Sequence, residues 1–228
     1  AGSKRRSCYA IASANMDAVP HHPGSSTQKG RTSMTIAVLA LQGAFIEHEK
    51  MLERLGVSSI ELRNAADLEK NFDGIILPGG ESTVQGKLLH TLDMFLPLQK
   101  RIQDGLPVLA TCAGLILLAE KLQDDPTRHF AALPVCVQRN AYGRQLGSFH
   151  TEGSVAGIGT VPMTFIRAPY VVSAADGVET LAAVNGKIVG VRYRSQTAYA
   201  FHPELDSDTR RSREFLKNSG SSTHRSNT

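Results

Sequence analysis

The sequence predicts an α/β fold, with a mainly parallel central sheet and additional antiparallel strands in its C-terminal half. Three observations predict it. Short, continuous apolar runs such as "TIAVLAL" (Thr35–Leu41) and "PVLAT" (Pro107–Thr111) have the composition of strands buried on both faces. Up to Leu122 such runs alternate with stretches of helical periodicity, the pattern of parallel strands joined by right-handed crossovers. Beyond Leu133 the texture changes to closely spaced, short strand-like runs, with Asn185-Gly186 as the strongest turn signal between two of them.

The elements follow in order. After the first strand, "AFIEHEKMLERLG" has helical spacing, with Phe45, Met51, Leu52 and Leu55 facing inward and Gly56 at its end. "SSIELR" is a second strand and "FDGIILPGG" a third. A long amphipathic helix is expected from about Ser82 to Ile102. "PVLAT" is a fourth strand, and "AGLILLAEKL" reads as the helix after it. In the second half "LPVCVQR", "SFHTEG", "VPMTFIRAP", "ETLAAVNGKIVGVRYR" and "TAYAFHPEL" are strand-like, and "DTRRSREFLKN" closes the domain as a helix. There is no internal repeat.

The chain has 228 residues, enough for one large domain with a sizeable core. Residues 1–33 are basic, rich in Ser and Gly and almost free of acids. They read as a transit peptide, an unstructured extension or an expression remnant, with Met34 a natural start. Residues 34–218 form the predicted domain, and 219–228 read as a disordered tail. The net charge of +4 owes much to the two ends, and no RNP, zinc-finger or basic-zipper pattern accompanies it, so nucleic acid is not an expected partner. Three cysteines, Cys8, Cys112 and Cys136, make no disulfide framework and fit a reducing compartment. No clustered His/Cys pattern suggests a metal site, and no apolar run reaches the ~20 residues of a membrane span. A cytoplasmic location is expected, with organelle targeting by residues 1–33 left open.

The chemistry centres on Cys112. It follows a buried strand, opens a helix, and is flanked by Ala110, Ala113 and Gly114. A sharp strand–helix turn needs such small neighbours, and a helix N-terminus favours thiolate and a developing oxyanion. By itself this is also what a buried structural cysteine looks like. A base separates the two readings. His21, His22 and His224 fall in the tails, His48 and His90 on the polar side of helices, and His129 and His150 near loops. His202 ends an apolar strand and is followed by Pro203 and Glu204, so that on a strand His202 and Glu204 project to one face. Nucleophile, base and orienting carboxylate then make a triad. The glycines of "PGGES" permit close backbone approach to a substrate, though the same stretch suits an ordinary turn with Ser82 capping a helix.

"LALQGAF" (Leu39–Phe45), "LPGGEST" (Leu77–Thr83), "TCAGLILLA" (Thr111–Ala119), "RNAYGRQ" (Arg139–Gln145), "FIRAP" (Phe165–Pro169) and "FHPEL" (Phe201–Leu205) occur in this order. Together they closely resemble the glutaminase subunit of pyridoxal 5′-phosphate synthase, the PdxT/SNO family of class I glutamine amidotransferases, over about Met34 to Asn218. Ala110 departs from the family's usual Gly before the Thr-Cys pair, but is small enough for the turn. The resemblance implies a flavodoxin-like three-layer sandwich and hydrolysis of L-glutamine to glutamate and ammonia, through a glutamyl thioester on Cys112, with His202 as base and Glu204 as its orienter. It implies an oxyanion hole from the backbone N–H groups of Gly80 and Ala113. It implies a glutamine site from Gly79, Gly80, Glu81, Ser82, Arg139, Ile166 and Arg167, with Gln42 linked to activation by the partner. That partner is a (β/α)₈ synthase that uses the ammonia with ribose 5-phosphate and glyceraldehyde 3-phosphate, in a large hetero-oligomer. The glutaminase itself needs no cofactor and no metal. Two further readings stand beside this one: a related cysteine hydrolase of γ-glutamyl or peptide substrates, and a non-catalytic subunit that only scaffolds the synthase.

Overall fold

The computed structural model describes residues 34–140 and 148–222. The first half alternates β1 (Thr35–Leu39), α1 (Phe45–Arg54), β2 (Ser58–Leu62), β3 (Gly74–Leu77), α2 (Ser82–Thr91), α3 (Phe95–Gln103), β4 (Val108–Thr111) and α4 (Ala113–Leu118). The second half contains β5 (Ala119–Leu122), β6 (Leu133–Gln138), β7 (Ser148–Val155), β8 (Gly159–Ile166), β9 (Tyr170–Ala174), β10 (Glu179–Val184), β11 (Lys187–Tyr193) and β12 (Gln196–Tyr199), and ends in α5 (Arg210–Ser222).

The main sheet runs β2-β1-β3-β4-β12-β11-β9-β6-β5, with β10 paired to β11. Strands β2, β1, β3, β4 and β12 are parallel to one another. From β12 to β11, and on through β9 to β6, the pairing is antiparallel. This is the predicted mixed sheet. The pleat explains the sequence pattern: β3 and β4 are buried along their whole length and need continuous apolar runs, whereas the separate β7–β8 hairpin alternates along its strands. Asn185 and Gly186 both have positive φ in the β10–β11 turn, the backbone that a tight two-residue hairpin requires.

Strand order reverses at β1. Its first crossover leads outward to β2, and the chain then returns to β3 on the other side of β1. In an open α/β sheet such a reversal leaves a crevice beyond the carboxyl ends of the strands. Gln42, Gly79 and Cys112 follow the carboxyl ends of β1, β3 and β4, so the topology gathers them there.

Three element assignments change. The helix expected from Ser82 to Ile102 is two helices. Asp93 adopts φ 55° between them, and Pro97, with no N–H to give, falls in the first turn of α3. The helix after Cys112 is short: Ala119 turns extended and "AEKL" pairs with β6 as β5. The second change arises because an apolar run of this length fits either a buried helix or a buried strand. Finally, the domain does not stop at Asn218. Helix α5 continues to Ser222, and Ser219 is fully buried, its hydroxyl donating to the Phe215 carbonyl. Residues 1–33 and 223–228 lie outside the described residues, as do 141–147, which include the last five residues of the "RNAYGRQ" stretch. Among the described residues no helix is long and apolar enough to cross a membrane.

Candidate active site

Cys112 occupies the turn between β4 and α4 with φ 47° and ψ −98°. A non-glycine residue at such angles costs on the order of 1–3 kcal/mol and persists only where its surroundings hold it. The hold is visible: the Cys112 N–H donates to the Tyr199 carbonyl at 2.8 Å, and Gly114 packs directly on the Leu77 carbonyl, where a side chain would collide. Ala110, fully buried in β4, is paired with Leu77 and Ala198 in regular parallel register.

His202 comes from the second half of the chain, just beyond β12, the parallel neighbour of β4. Its N–H donates to the Thr164 carbonyl of β8 at 2.8 Å. Its imidazole Nδ1 lies 2.7 Å from Glu204 Oε1, and both side chains are buried. The geometry differs in one respect from the strand expectation. β12 ends at Tyr199, and Pro203–Leu205 is a single 3-10 turn closed from the Leu205 N–H to the His202 carbonyl. Glu204 therefore reaches back to His202 because the chain folds over, with Pro203 supplying a suitable φ, and not because of strand alternation.

Gly79 is wedged between the two halves. A Cβ there would strike the His202 ring at Cε1 and Nδ1 and come within 3.4 Å of the Cys112 Cβ. Nε2 of His202 has no oxygen or nitrogen partner among the described residues. The nearby thiol nonetheless acts on the ring. Burial is the largest single influence on His202 and disfavours its charge, but interaction with Cys112 and then with Glu204 outweighs it and raises the pKa to about 10. Burial likewise works against the Glu204 carboxylate, yet His48 and His202 on either side hold it below the usual carboxylate range.

A cavity of about 230 Å³ opens in front of Cys112. Gly79, Gly80, Glu81, Ser82, Arg139, Ile166 and Arg167 all line it, as does Gln42; Ala113 and Glu204 lie behind this surface. As the first residue of α4, Ala113 has an N–H that the helix cannot use, and neither it nor the Gly80 N–H meets an acceptor among the described residues. The two cations are paired: Arg139 contacts Asp125 at 3.0 Å and Thr83 at 3.2 Å, and Arg167 contacts Glu81 at 2.9 Å. Gln42 joins the turns after β1 and β3. Its Oε1 accepts from the Glu81 N–H at 2.7 Å, its carbonyl accepts from the buried Gln85 amide at 2.8 Å, and the neighbouring Ala44 N–H donates to the Gly79 carbonyl at 3.0 Å.

One residue of the site was misplaced by the sequence reading. His48, assigned to the polar side of its helix, is only 1% exposed, and its Nε2 lies 3.2 Å from Thr111 Oγ1 and 3.4 Å from Glu204 Oε2. The signal was there. His48 stands three after Phe45 and three or four before Met51 and Leu52, on the apolar stripe of α1.

An α/β sheet that carries a cysteine on a strained strand–helix turn, beside a buried His–Glu pair, is the architecture of cysteine-dependent amidotransferases and hydrolases. Comparison with known proteins narrows this class. The model of the SNO glutamine amidotransferase family matches residues 38–220, and the chain belongs to that family. It is 63% identical over 183 residues to the pyridoxal 5′-phosphate synthase subunit PdxT of Desulfitobacterium hafniense, covering 80% of this chain and 92% of the relative. Its identity to the same subunit of Streptococcus pneumoniae is 50% over 186 residues, covering 80% and 96%. Among solved structures, a glutamine amidotransferase superposes with a TM-score of 0.78 at 41% identity, covering 81% of this chain and 98% of that one. A putative GMP synthase component from Thermoplasma acidophilum, at 20% identity and TM-score 0.63, shares the fold and covers 86% and 98%.

Proposed function

We propose that this protein is the glutaminase subunit of a pyridoxal 5′-phosphate synthase, hydrolysing L-glutamine to L-glutamate and ammonia with Cys112, His202 and Glu204. The observation that carries the reading is the meeting of Cys112 and His202, from the ends of the neighbouring strands β4 and β12, in the wall of one cavity, with Glu204 buried behind the imidazole. The membership of the SNO family and the relatives named PdxT support the substrate and the pathway.

Glutamine's side-chain amide would sit over Cys112. The sulfur attacks the amide carbon while its proton rests on His202 Nε2, a role suited to an imidazole that binds protons more tightly than a free one. The carbonyl oxygen becomes an oxyanion, for which the Gly80 and Ala113 N–H groups are the available donors. His202 then returns the proton to the amide nitrogen, the C–N bond breaks, and ammonia leaves a glutamyl thioester. Water attacks that thioester, with His202 again taking a proton, and glutamate and the free thiol are restored. Glu204 Oε1 holds the Nδ1–H and so presents Nε2 to the sulfur throughout. Glu81, Ser82, Arg139, Ile166 and Arg167 form the walls against the amino-acid end of glutamine. The Arg139 and Arg167 guanidiniums are candidates for its carboxylate if they exchange Asp125 and Glu81 for it.

In water ammonia becomes ammonium, which is not nucleophilic, so passage to a docked (β/α)₈ synthase keeps it useful. The Gln42 contacts tie the oxyanion turn to the β1–α1 turn, which makes that turn a lever through which a docked partner acts on the Gly79–Gly80 peptide. The test is glutamate release by the chain alone and with its synthase. Strong stimulation by the synthase is expected. Absence of glutaminase activity in the complex would overturn the reading, and full activity in the isolated chain would remove the partner from it.

A further inference from the structure

We propose that His48 is a positioning residue that joins the carboxylate end of the triad to the oxyanion turn. This rests on the glutaminase reading above. The chain of contacts runs through the interior without a break. His202 Nδ1 meets Glu204 Oε1 at 2.7 Å, and the other carboxylate oxygen, Oε2, lies 3.4 Å from His48 Nε2. The same Nε2 is 3.2 Å from Thr111 Oγ1, which in turn accepts the Gly79 N–H at 3.0 Å. Thr111 immediately precedes the nucleophile, and Gly79 immediately precedes the oxyanion donor Gly80. One imidazole thus touches the support of the base and the support of the oxyanion hole.

The proton on His48 can be assigned. Glu204 is ionised, so a bare Nε2 would set a lone pair against a carboxylate oxygen at 3.4 Å in a buried site. Nε2 therefore carries hydrogen, donates it to Thr111 Oγ1 at 3.2 Å, and turns the positive edge of the ring toward Glu204 Oε2 at 3.4 Å. That contact is long for a hydrogen bond to Oε2, which has no other partner among the described residues, so the charge of Glu204 leans on His48 as its second support. Burial, the dominant influence on His48, lowers its proton affinity, and the ring acts as a neutral donor. A neutral donor steadies Glu204 without competing as a cation for its charge. Helix α1, which carries His48, also follows the Gln42 turn, so a push on that turn reaches both ends of the catalytic apparatus together.

Removal of the Nε2 donor should lower kcat and spare glutamine binding, because His48 does not line the cavity. In the chain assembled with its synthase, His48→Leu should lose about tenfold or more in kcat, the size of effect that slight misplacement of reacting groups produces, with KM within about twofold. His48→Gln should recover most of the loss, since its amide nitrogen reaches the place of Nε2. His48→Asn, whose amide stops short of it, should not. The same three variants should track the strength of the His202–Glu204 contact read from the NMR resonance of the His202 Nδ1–H. Equal kcat in His48→Gln and His48→Asn, or a loss confined to KM, would overturn the proposal. If His48→Leu does not fold, the Gln–Asn comparison decides alone. A wild-type complex without glutaminase activity would instead overturn the reading of the reaction, and the NMR comparison would still judge the positioning role.

Discussion

Strands β1, β3 and β4 are buried on both faces, run parallel, and each ends in a turn of small residues at the crevice. Strands β7 and β8 form an antiparallel hairpin outside the main sheet, and β12 runs on into the Pro203–Leu205 turn. In the proposed reaction the first region supplies the nucleophile and the oxyanion donors from backbone that follows the carboxyl ends of buried strands. The second supplies the base, held by a single backbone bond to β8 and by its own carboxylate. The difference teaches that the proposed site is assembled from both halves of the chain on neighbouring strands. The first half places Cys112 and the Gly79–Gly80 turn, and the second half brings His202 to them from beyond β12, the parallel neighbour of β4.

The comparison breaks most completely if the first half of the chain loses the proposed nucleophile. Cys112→Ala should lose glutaminase activity by about 10⁴-fold or more, as for other single deletions of a nucleophile, while synthase fed with free ammonium still forms product. Substantial glutamine turnover by the purified variant would move the nucleophile elsewhere. In the second half of the chain, His202→Asn should fall within the same range. Glu204→Gln should lose less, about 10²-fold, at the low end of what proton-transfer catalysis contributes, because its amide oxygen can still accept the Nδ1–H. Normal turnover in His202→Asn would assign the base to another histidine.

At the seam, Gly79→Ala places a methyl group against His202 and Cys112, with no room on either side. The expected outcome is a folded chain with a loss of about a hundredfold in kcat, since the two reacting groups are pushed apart. Unchanged kinetics would mean that the halves do not meet as tightly as the contacts require.

The smallest effect is in stability. His202 binds a proton more tightly in the folded protein than in the unfolded chain, with its pKa raised from 6.5 to about 10. Its contribution to stability is therefore complete below pH 6.5 and is lost as pH rises through about 10. Urea midpoints across that range should fall for the wild type and fall less for Cys112→Ala, which lacks the thiol that helps to raise the pKa. Parallel profiles would show that the thiol is not coupled to the imidazole.

Much of this contrast was legible in the sequence. Continuous apolar runs announced the parallel strands, and the small residues around Cys112 announced its turn, because sterics at a sharp strand–helix junction leave few alternatives. The motifs from "LALQG" to "FHPEL" named the family. What escaped depends on packing beyond the local window. The break at Asp93 interrupts a helical pattern that α2 and α3 share, and the switch from α4 to β5 lies inside an apolar run that suits helix and strand equally. His202 and Glu204 were paired correctly but for a strand reason, whereas a Pro-led turn brings them together. His48 was read by its polarity when its spacing already put it on the buried stripe, where only a partner such as Glu204 makes a histidine tolerable.

The central claim is that the reactive sulfur belongs to Cys112 and is served by His202. The most direct measurement is covalent labelling of the assembled complex with an electrophilic analogue of glutamine, followed by peptide mapping. The account predicts a single adduct on the Cys112 peptide, suppressed by excess glutamine and by His202→Asn, with the half-buried Cys136 unmodified. An adduct on Cys136, or equal labelling of Cys112 in wild type and His202→Asn, would contradict it.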